Sequence, residues 1–177
     1  MHSKLLDGIN VLDLSEGIAG PFCAKLLADL GAKTVKVERP DQGDTSRALG
    51  PFPDGRPDIE KSASFFYFNT GKRSIVLDED SEIGRGTLKK LVQQYDVVIA
   101  SDTDEGLRQR GLGFDELRSW NPGVILTTIS GFGSFGPLSA YESSHLITCA
   151  VGGWSHLCGV PERDPLQAGG TIARTLT

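Results

Sequence analysis

Apolar residues in this chain form two kinds of pattern, short segments rich in apolar residues and longer sets with helical spacing. The short segments predict β-strands at 9–14, 33–38, 74–77, 96–100 and 124–129. The helically spaced sets predict helices at 21–30, 83–95 and 114–118, and a further helix at 145–157 that weakens at Gly152-Gly153. Because strands and helices alternate, we expect an open α/β fold with a mostly parallel sheet.

The same pattern also predicts burial and loops. The run 124–129 shows no polar alternation until its end, which predicts a strand buried on both faces of the sheet. Residues 40–62 contain four prolines and three glycines and predict a long loop, and long loops of this kind often carry function. Ligands of open α/β sheets bind beyond the carboxyl ends of the strands. The loops expected at that edge are 15–20, 38–43 and 130–137.

Composition excludes several functional classes. The formal net charge is −5, and the chain has no basic stripe of the kind that a nucleic-acid surface requires. No apolar run approaches the roughly 18 residues of a membrane span, and the amino terminus lacks the apolar core of a signal peptide. The three cysteines are scattered and show no zinc spacing. We therefore expect a cytoplasmic protein with reduced thiols, no metal, no nucleic-acid partner and no membrane span.

The loop after the first strand suggests a ligand that contains phosphate. Glu38 ends the second strand, where a dinucleotide-binding domain places the acid that holds the ribose. However, Gly17-Ile18-Ala19-Gly20-Pro21 lacks the G-x-G-x-x-G spacing, and Pro21 removes a backbone donor. NAD binding is therefore a minor alternative, beside a glycine turn that only links strand to helix.

Basic residues near the same edge suggest an anion site. Arg39 follows the second strand, and Lys72-Arg73 follows the turn at 69–71. If the three side chains converge, they can hold phosphate through charge-assisted hydrogen bonds. If they do not converge, the Lys-Arg pair is an ordinary solvated turn.

Four motifs together resemble one family. They are A-G-P-F at 19–22, K-V-E-R-P at 36–40, N-T-G-K-R-S at 69–74 and S-G-F-G-S-F-G-P at 130–137. In this order, they are similar to the amino-terminal half of the class III CoA-transferases, the family of formyl-CoA transferase, carnitine CoA-transferase and methylacyl-CoA racemase. The resemblance implies a Rossmann-like large domain that is completed by carboxyl-terminal segments, a smaller domain between them, and two chains interlocked as rings. Residues 1–177 would then be the amino-terminal part of the large domain, without the small domain.

The resemblance also implies a site for coenzyme A or an acyl-CoA as substrate. The residues that it places at this site are Ala19 and Gly20 close to the nucleotide, Arg39 at the phosphates, and Asn69, Lys72 and Arg73 nearby. The second substrate would be a carboxylic acid. The partner would be a second copy of the chain or a second transferase half.

Three departures from the family pattern affect catalysis and binding. Family transferases use an aspartate whose carboxylate attacks the acyl-CoA thioester. The matching position here is Arg174, a permanently protonated donor that cannot attack a carbonyl. The acidic segment 101–105 replaces N-F-x-P-G, which contacts coenzyme A in the family, and is expected to weaken phosphate binding. His145 is shifted by one position from the histidine of the racemase branch, so we assign it a structural role.

Other nucleophiles have little support in the sequence. Cys149 and Cys158 fall in a predicted core helix, where buried thiols are usually inert. Ser130 and Ser134 border a glycine turn with no evident base, and Glu142 lies outside any motif of the family.

Three hypotheses for the function follow. The first is a CoA-transferase in which this chain is a degenerate half without the nucleophile. The second is a non-catalytic module for acyl-CoA binding or oligomerisation, and the third is an NAD-linked enzyme. The complete open reading frame would separate the first two, and retention on CoA resin but not on NAD resin would exclude the third.

Overall fold

The computed structural model describes residues 4–160, 162–166, 169–170 and 175. The chain divides into two compact units, Met1–Ile129 and Ser130–Thr177. Arg174, which stands at the predicted nucleophile position, lies outside the described residues.

A parallel sheet forms the centre of the first unit. In the described part of the chain it has five strands, in the order β3-β2-β1-β4-β5. They are β1 (Asn10–Asp13), β2 (Lys33–Glu38), β3 (Arg73–Val76), β4 (Val97–Ala100) and β5 (Ile125–Thr128). At the middle of the sheet, Leu12 pairs with Val35 on one side and with Val98 on the other. The predicted open α/β fold is confirmed, and no strand end differs from its prediction by more than one residue.

Helices connect the strands of the first unit. They are α1 (Ala19–Asp29), α2 (Ala63–Asn69), α3 (Glu82–Val92), α4 (Asp104–Gln109) and α5 (Phe114–Trp120). Short 3₁₀ helices at Thr45–Ala48 and Pro53–Gly55 lie within the predicted long loop. Gly31 follows α1 with a φ of +113°, a conformation that favours glycine and commonly ends a helix. Among the described residues, no helix combines the length and the apolar composition needed to cross a bilayer.

The apolar pattern did not predict α2 and α4, although both helices begin with a side-chain cap. Ser62 Oγ accepts from the backbone N–H of Phe65, and Thr103 Oγ1 accepts from that of Gly106. The α2 sequence A-S-F-F-Y-F-N has a continuous aromatic run, and such a run hides helical spacing. α4 is short and carries one buried residue, Leu107, so it has almost no apolar period.

The core of the first unit lies on both faces of the sheet. On one face, Leu12, Val98 and Ala100 belong to a large buried cluster that includes residues of α3, α4 and α5. On the other face, Val11 and Ile99 pack with Ala24 of α1 in a smaller cluster. Successive strand residues alternate between the two clusters, as the period of two requires.

β5 is not the doubly buried strand that its composition predicted. It lies at the edge of the sheet, and Ile125 is 59% exposed. The prediction was wrong because an apolar composition shows only that a strand suits burial. It does not show that another element of the described chain packs against that strand. β5 therefore presents apolar surface in this part of the molecule.

The second unit contains α6 (His145–Val151) and α7 (Trp154–Leu157). They are separated at Gly152-Gly153, as the sequence predicted, and Gly153 has a φ of +79°. Cys149 is buried in α6, whereas Cys158 follows α7 and is only half-buried. The predicted core-helix position is therefore right for Cys149 and wrong for Cys158, because the break at the two glycines ends α6 before it.

Candidate functional site

The carboxyl ends of β1, β2 and β4 bring their following loops to one edge of the sheet. β1 lies between β2 and β4, so the order of the strands reverses at β1. In open α/β folds, such a reversal creates a crevice in which ligands bind. The backbone N–H of Glu16, after β1, donates to Ser101 Oγ, after β4, at 2.7 Å. The first loop is thus part of this crevice.

Two glycines explain the path of the first loop, residues 15–20. Gly17 has a φ of +81°, a conformation that L side chains rarely adopt. Gly20 lies in the first turn of α1, where an added Cβ would be 2.2 Å from the Cβ of Ser15. Ser15 is buried and is fixed by Asp13, whose Oδ1 accepts from both its N–H and its hydroxyl. Ala19 and Gly20, predicted to lie near the nucleotide, are where the loop becomes helix.

Four buried charges lie beneath the first loop and are called here the buried charge cluster. They belong to Asp13, Lys36, Asp44 and Lys72, whose side chains are each at most 1% exposed. Lys36 Nζ lies 2.7 Å from Asp44 Oδ2 and 3.8 Å from Asp13 Oδ2. Lys72 Nζ lies 2.7 Å from Asp13 Oδ2. Two cations and two anions offset one another, which makes their burial tolerable.

The buried charge cluster also binds the backbone of the first loop. Three hydrogen bonds do this, from Lys36 Nζ to Ser15 O at 2.6 Å, from Gly17 N to Asp44 Oδ1 at 3.1 Å, and from Lys72 Nζ to Pro21 O at 2.7 Å. The start, the middle and the end of the loop are therefore held by side chains from distant parts of the sequence.

Lys72 uses its three donors inside the protein. Besides Asp13 and Pro21, it donates to Asn69 Oδ1 at 2.8 Å. Burial lowers the pKa of Lys72 to about 8, although the neighbouring Asp13 carboxylate acts in the opposite direction. Lys72 thus contacts Asn69 and the backbone of Pro21 in the first turn of α1. A phosphate contact by Lys72 or Asn69 stays a prediction, and for Lys72 it would require one of these bonds to break.

The structure does not bring Arg39 and Arg73 together. Arg73 pairs with Val35, four residues before Arg39, so the two arginines are separated by about 13 Å along the strand direction. The side chain of Arg39 is 62% exposed, and its Nε lies 2.9 Å from Glu16 Oε1. Of the three predicted basic residues, Arg39 is the one that presents its guanidinium at the carboxyl edge.

A cavity of about 500 Å³ opens beside Arg39 and is lined by residues 39–42, 77–80 and Arg110. Arg110 Nη2 lies 2.5 Å from Glu79 Oε2, and its Nη1 lies 3.4 Å from Asp102 Oδ2. Part of the negative charge in segment 101–105 is therefore balanced by Arg110. The cavity holds both acidic and basic groups next to the first loop.

Glu38, the candidate acid for an NAD ribose, is occupied by other groups. Arg47 donates to both of its carboxylate oxygens, at 2.6 and 3.0 Å, and Ser74 and the N–H of Asp44 donate as well. These four bonds use the lone-pair positions of the carboxylate. Burial acts to raise the pKa of Glu38, but the bonds from Arg47, Ser74 and Asp44 outweigh it and lower the pKa to about 2. Glu38 acts as a structural anchor for Arg47.

The buried charge cluster was not predicted from the sequence. Its signal was present, because Lys36 interrupts the apolar run around Val35 and Val37, and Asp13 lies between Leu12 and Leu14. A charge within a strand that is buried on both faces needs a partner of opposite sign. The sequence does not reveal which residues supply those partners.

In the second unit, the described residues show how the glycine turn at 130–137 meets the chain before α6. A Cβ on Gly131 would be 1.9 Å from Ser143 Oγ, so this residue must be small. His145 begins α6, and its Nε2 lies 3.8 Å from the Sγ of the buried Cys149. The structural role of His145 stays a prediction.

Comparisons with known proteins give a consistent result. The model of CoA-transferase family III matches residues 6–177. The chain is 37% identical to a succinate–glutarate CoA-transferase from Agrobacterium fabrum, over 97% of this chain and 44% of that protein. It is also 37% identical to an acetyl-CoA:oxalate CoA-transferase from Acetobacter aceti, over 93% of this chain and 41% of that protein.

The fold is shared with a solved structure, a CAIB/BAIF family protein from Brucella suis. The TM-score is 0.88 at 36% identity, and the match covers 98% of this chain and 46% of that one. The chain thus spans less than half the length of the relatives it matches.

Proposed function

We propose, from the premise that this chain belongs to CoA-transferase family III, that it binds coenzyme A or an acyl-CoA at the carboxyl edge of its sheet. There it would serve the transfer of CoA between an acyl-CoA and a carboxylic acid. The relatives are named for succinate, glutarate, acetyl-CoA and oxalate, which supports substrates of these two chemical classes.

The observation that carries the binding proposal is the exposed guanidinium of Arg39. It stands between the first loop and the cavity of about 500 Å³, at the edge where open α/β sheets bind ligands. Its present partner, Glu16, is itself partly exposed, so a phosphate can replace this ion pair with little loss. The nucleotide would lie over Ala19 and Gly20, where the backbone carries no large side chain.

For catalysis, we propose that this chain alone does not transfer CoA. The family position for the attacking carboxylate is Arg174, and a guanidinium can donate hydrogen bonds but cannot attack a thioester. The chain also spans less than half the length of its named relatives, so much of a complete transferase lies outside it.

The partner would be a second transferase half or a second copy of the chain. The coverage of the relatives supports this proposal, and so does the exposed apolar surface of β5, which includes Ile125. We place the protein in the cytoplasm on the basis of its cysteines, as a prediction.

A non-catalytic acyl-CoA-binding or oligomerisation module is the second candidate. It is favoured by the arginine at position 174, because this residue replaces the nucleophile while the first loop is retained. NAD binding has less support, because the oxygens of Glu38 are occupied by Arg47, Ser74 and Asp44.

Binding can be tested by titration calorimetry of the chain with coenzyme A and with NAD. We expect heat of binding for coenzyme A alone. Arg39→Ala should weaken coenzyme A binding by about 1–3 kcal/mol, because a charge-assisted bond to phosphate is lost. Arg56→Ala, which removes an exposed arginine elsewhere on the surface, is the matched control. Equal affinities of the wild type and Arg39→Ala would remove Arg39 from the site.

Catalysis can be tested by incubating the chain with acyl-CoA and a panel of carboxylic acids, followed by hydroxylamine to trap an enzyme-bound thioester or anhydride. We expect no transfer and no trapped adduct. An adduct on the unmodified chain would show that another residue is the nucleophile, and the degenerate-half proposal would be wrong.

A further inference from the structure

We infer that the buried charge cluster positions the first loop together with Pro21 (residues 15–21, called here the ligand loop), with Lys36, Asp44 and Lys72 acting on its backbone and not on the ligand. This inference rests on the proposed coenzyme A site. It assigns to Lys72 a different role from the phosphate contact that the basic residues Arg39, Lys72 and Arg73 suggested in the sequence.

The geometry of Lys72 supports the inference. Its ammonium is 1% exposed, and its three donors are directed at Asp13 Oδ2, Pro21 O and Asn69 Oδ1, at 2.7 to 2.8 Å. An ammonium has three donors, so Lys72 offers none to a phosphate in this arrangement. Its contact with Pro21 O instead fixes the first turn of α1, next to Ala19 and Gly20.

Lys36 and Asp44 support the inference from the other side of the loop. Lys36 lies in β2, yet its Nζ bonds to the backbone of Ser15 and to Asp44. Asp44 Oδ1 accepts from Gly17, which has positive φ, and from Ser46 at the start of the 3₁₀ helix. The loop therefore cannot shift without breaking hydrogen bonds to at least two buried charges, each of which would lose one of its partners.

Such a loop meets its ligand already ordered. A flexible loop loses conformational entropy when it binds, whereas a loop fixed in advance does not, so pre-organisation strengthens binding without any new contact. A positioning residue and a phosphate ligand can then be distinguished by salt. Removal of a phosphate ligand reduces the ionic-strength dependence of binding, whereas removal of a positioning residue lowers affinity and leaves that dependence unchanged.

The test compares four proteins: the wild type, Arg39→Ala, the double variant Asp13→Asn/Lys72→Met, and Lys61→Met. The double variant removes one cation and one anion together, which leaves Lys36 and Asp44 paired and favours folding. Lys61 is exposed and pairs with Asp58, so Lys61→Met is the matched control. Coenzyme A affinity is measured at two ionic strengths, and amide hydrogen exchange is measured at Ser15, Glu16 and Gly17.

We expect amide exchange at these three positions to be at least about tenfold faster in the double variant, because Asp13, the acceptor for Ser15, is no longer a carboxylate held by Lys72, and the backbone at Pro21 is released as well. Coenzyme A affinity should fall about tenfold with the wild-type ionic-strength dependence, while Arg39→Ala should lose part of that dependence. Lys61→Met should match the wild type in both measurements.

Two results would overturn the inference. One is a double variant whose ionic-strength dependence falls as in Arg39→Ala, which would make Lys72 a phosphate ligand. The other is unchanged exchange at the three amides. If the wild type does not bind coenzyme A at all, the proposed function fails, and the exchange rates alone then decide whether the cluster positions the loop.

Discussion

Two regions of the sheet differ in how completely their charged or apolar groups are covered and paired within this chain. Near the carboxyl ends of β1 and β2, four charged side chains are each at most 1% exposed and form ion pairs within the first unit. At β5, by contrast, Ile125 is 59% exposed, and a groove of about 590 Å³ runs beside Asp104, Phe114 and Glu116. The charges of the first region are paired within this chain. The second region exposes apolar surface that suits contacts with a further protein segment.

This difference explains which part of the molecule can be studied alone. The ligand loop is held by side chains of this same chain, so its geometry can be studied without a partner protein. The apolar composition of β5 suits burial on both faces of the sheet. The described residues, however, leave Ile125 of this strand mostly exposed. We therefore expect mutations in the two regions to have unequal effects on the chain.

The largest effect is expected from Lys36→Met. This change leaves Asp44 and Asp13 with one buried cation, and an uncompensated buried charge costs about 3–5 kcal/mol. Urea unfolding followed by circular dichroism measures the loss of stability. Lys33→Met, at an exposed position of the same strand, is the control. Equal unfolding curves for both variants would show that the cluster does not stabilise the fold.

The next effect is a dependence of stability on acid that arises from Glu38. Its folded-state pKa of about 2 lies below the ordinary value of 4.5, so its stabilisation is complete above pH 4.5 and is lost as the pH falls toward 2. The difference corresponds to about 3 kcal/mol. Unfolding curves at several pH values should show this loss in the wild type and much less of it in Glu38→Gln. Glu116→Gln, beside β5, is the control, and a Glu38→Gln profile identical to it would contradict the assignment.

A smaller effect is expected from Gly20→Ala. The added Cβ would lie 2.2 Å from the Cβ of Ser15, and relief of that overlap should cost about 1–3 kcal/mol. Gly86→Ala in α3 adds a Cβ with no atom within 4 Å, so it should stabilise the helix slightly. Thermal unfolding of both variants measures the contrast, and a Gly20→Ala protein as stable as the wild type would show that Ser15 can move aside.

The smallest effect is expected from Ile125→Thr on β5. Because the side chain is mostly exposed, the stability of this chain should change by no more than about 0.5 kcal/mol. Ile99→Thr, on the adjacent strand at a fully buried position, should cost at least about 2 kcal/mol. If Ile125→Thr were as costly as Ile99→Thr in chemical unfolding, β5 would be covered in solution.

The sequence predicted the strands well because each one is a short segment rich in apolar residues, and burial in a parallel sheet favours such segments. It predicted Arg39 at the carboxyl edge because the residue directly follows β2. It did not predict α2, since the aromatic run at 65–68 has no helical period. It placed Lys72 near Arg39 by motif alone, whereas the side chain turns inward to Asp13, 59 residues away in sequence.

The buried charge cluster was beyond the reach of local patterns for the same reason. The pairing of Lys36 with Asp44 depends on the turn after β2, and the pairing of Lys72 with Asp13 depends on the packing of α1 against both β1 and α2. The spacing of residues along the chain indicates which of them share a face of a helix or strand. It does not indicate which loops come together at the edge of the sheet.

The hydrogen bond from Glu16 N–H to Ser101 Oγ has a consequence for how the molecule is made. Residues 15–20 leave the ribosome before the groups that fix them, which follow at positions 36, 44, 72 and 101. During synthesis the nascent chain therefore carries a ligand loop that cannot take its final shape until β4 has emerged. Contacts between such distant positions form late in folding, because the intervening chain must first be closed into a loop. A chain that stops before residue 101 would therefore carry residues 15–20 without the Ser101 hydroxyl that accepts from the N–H of Glu16.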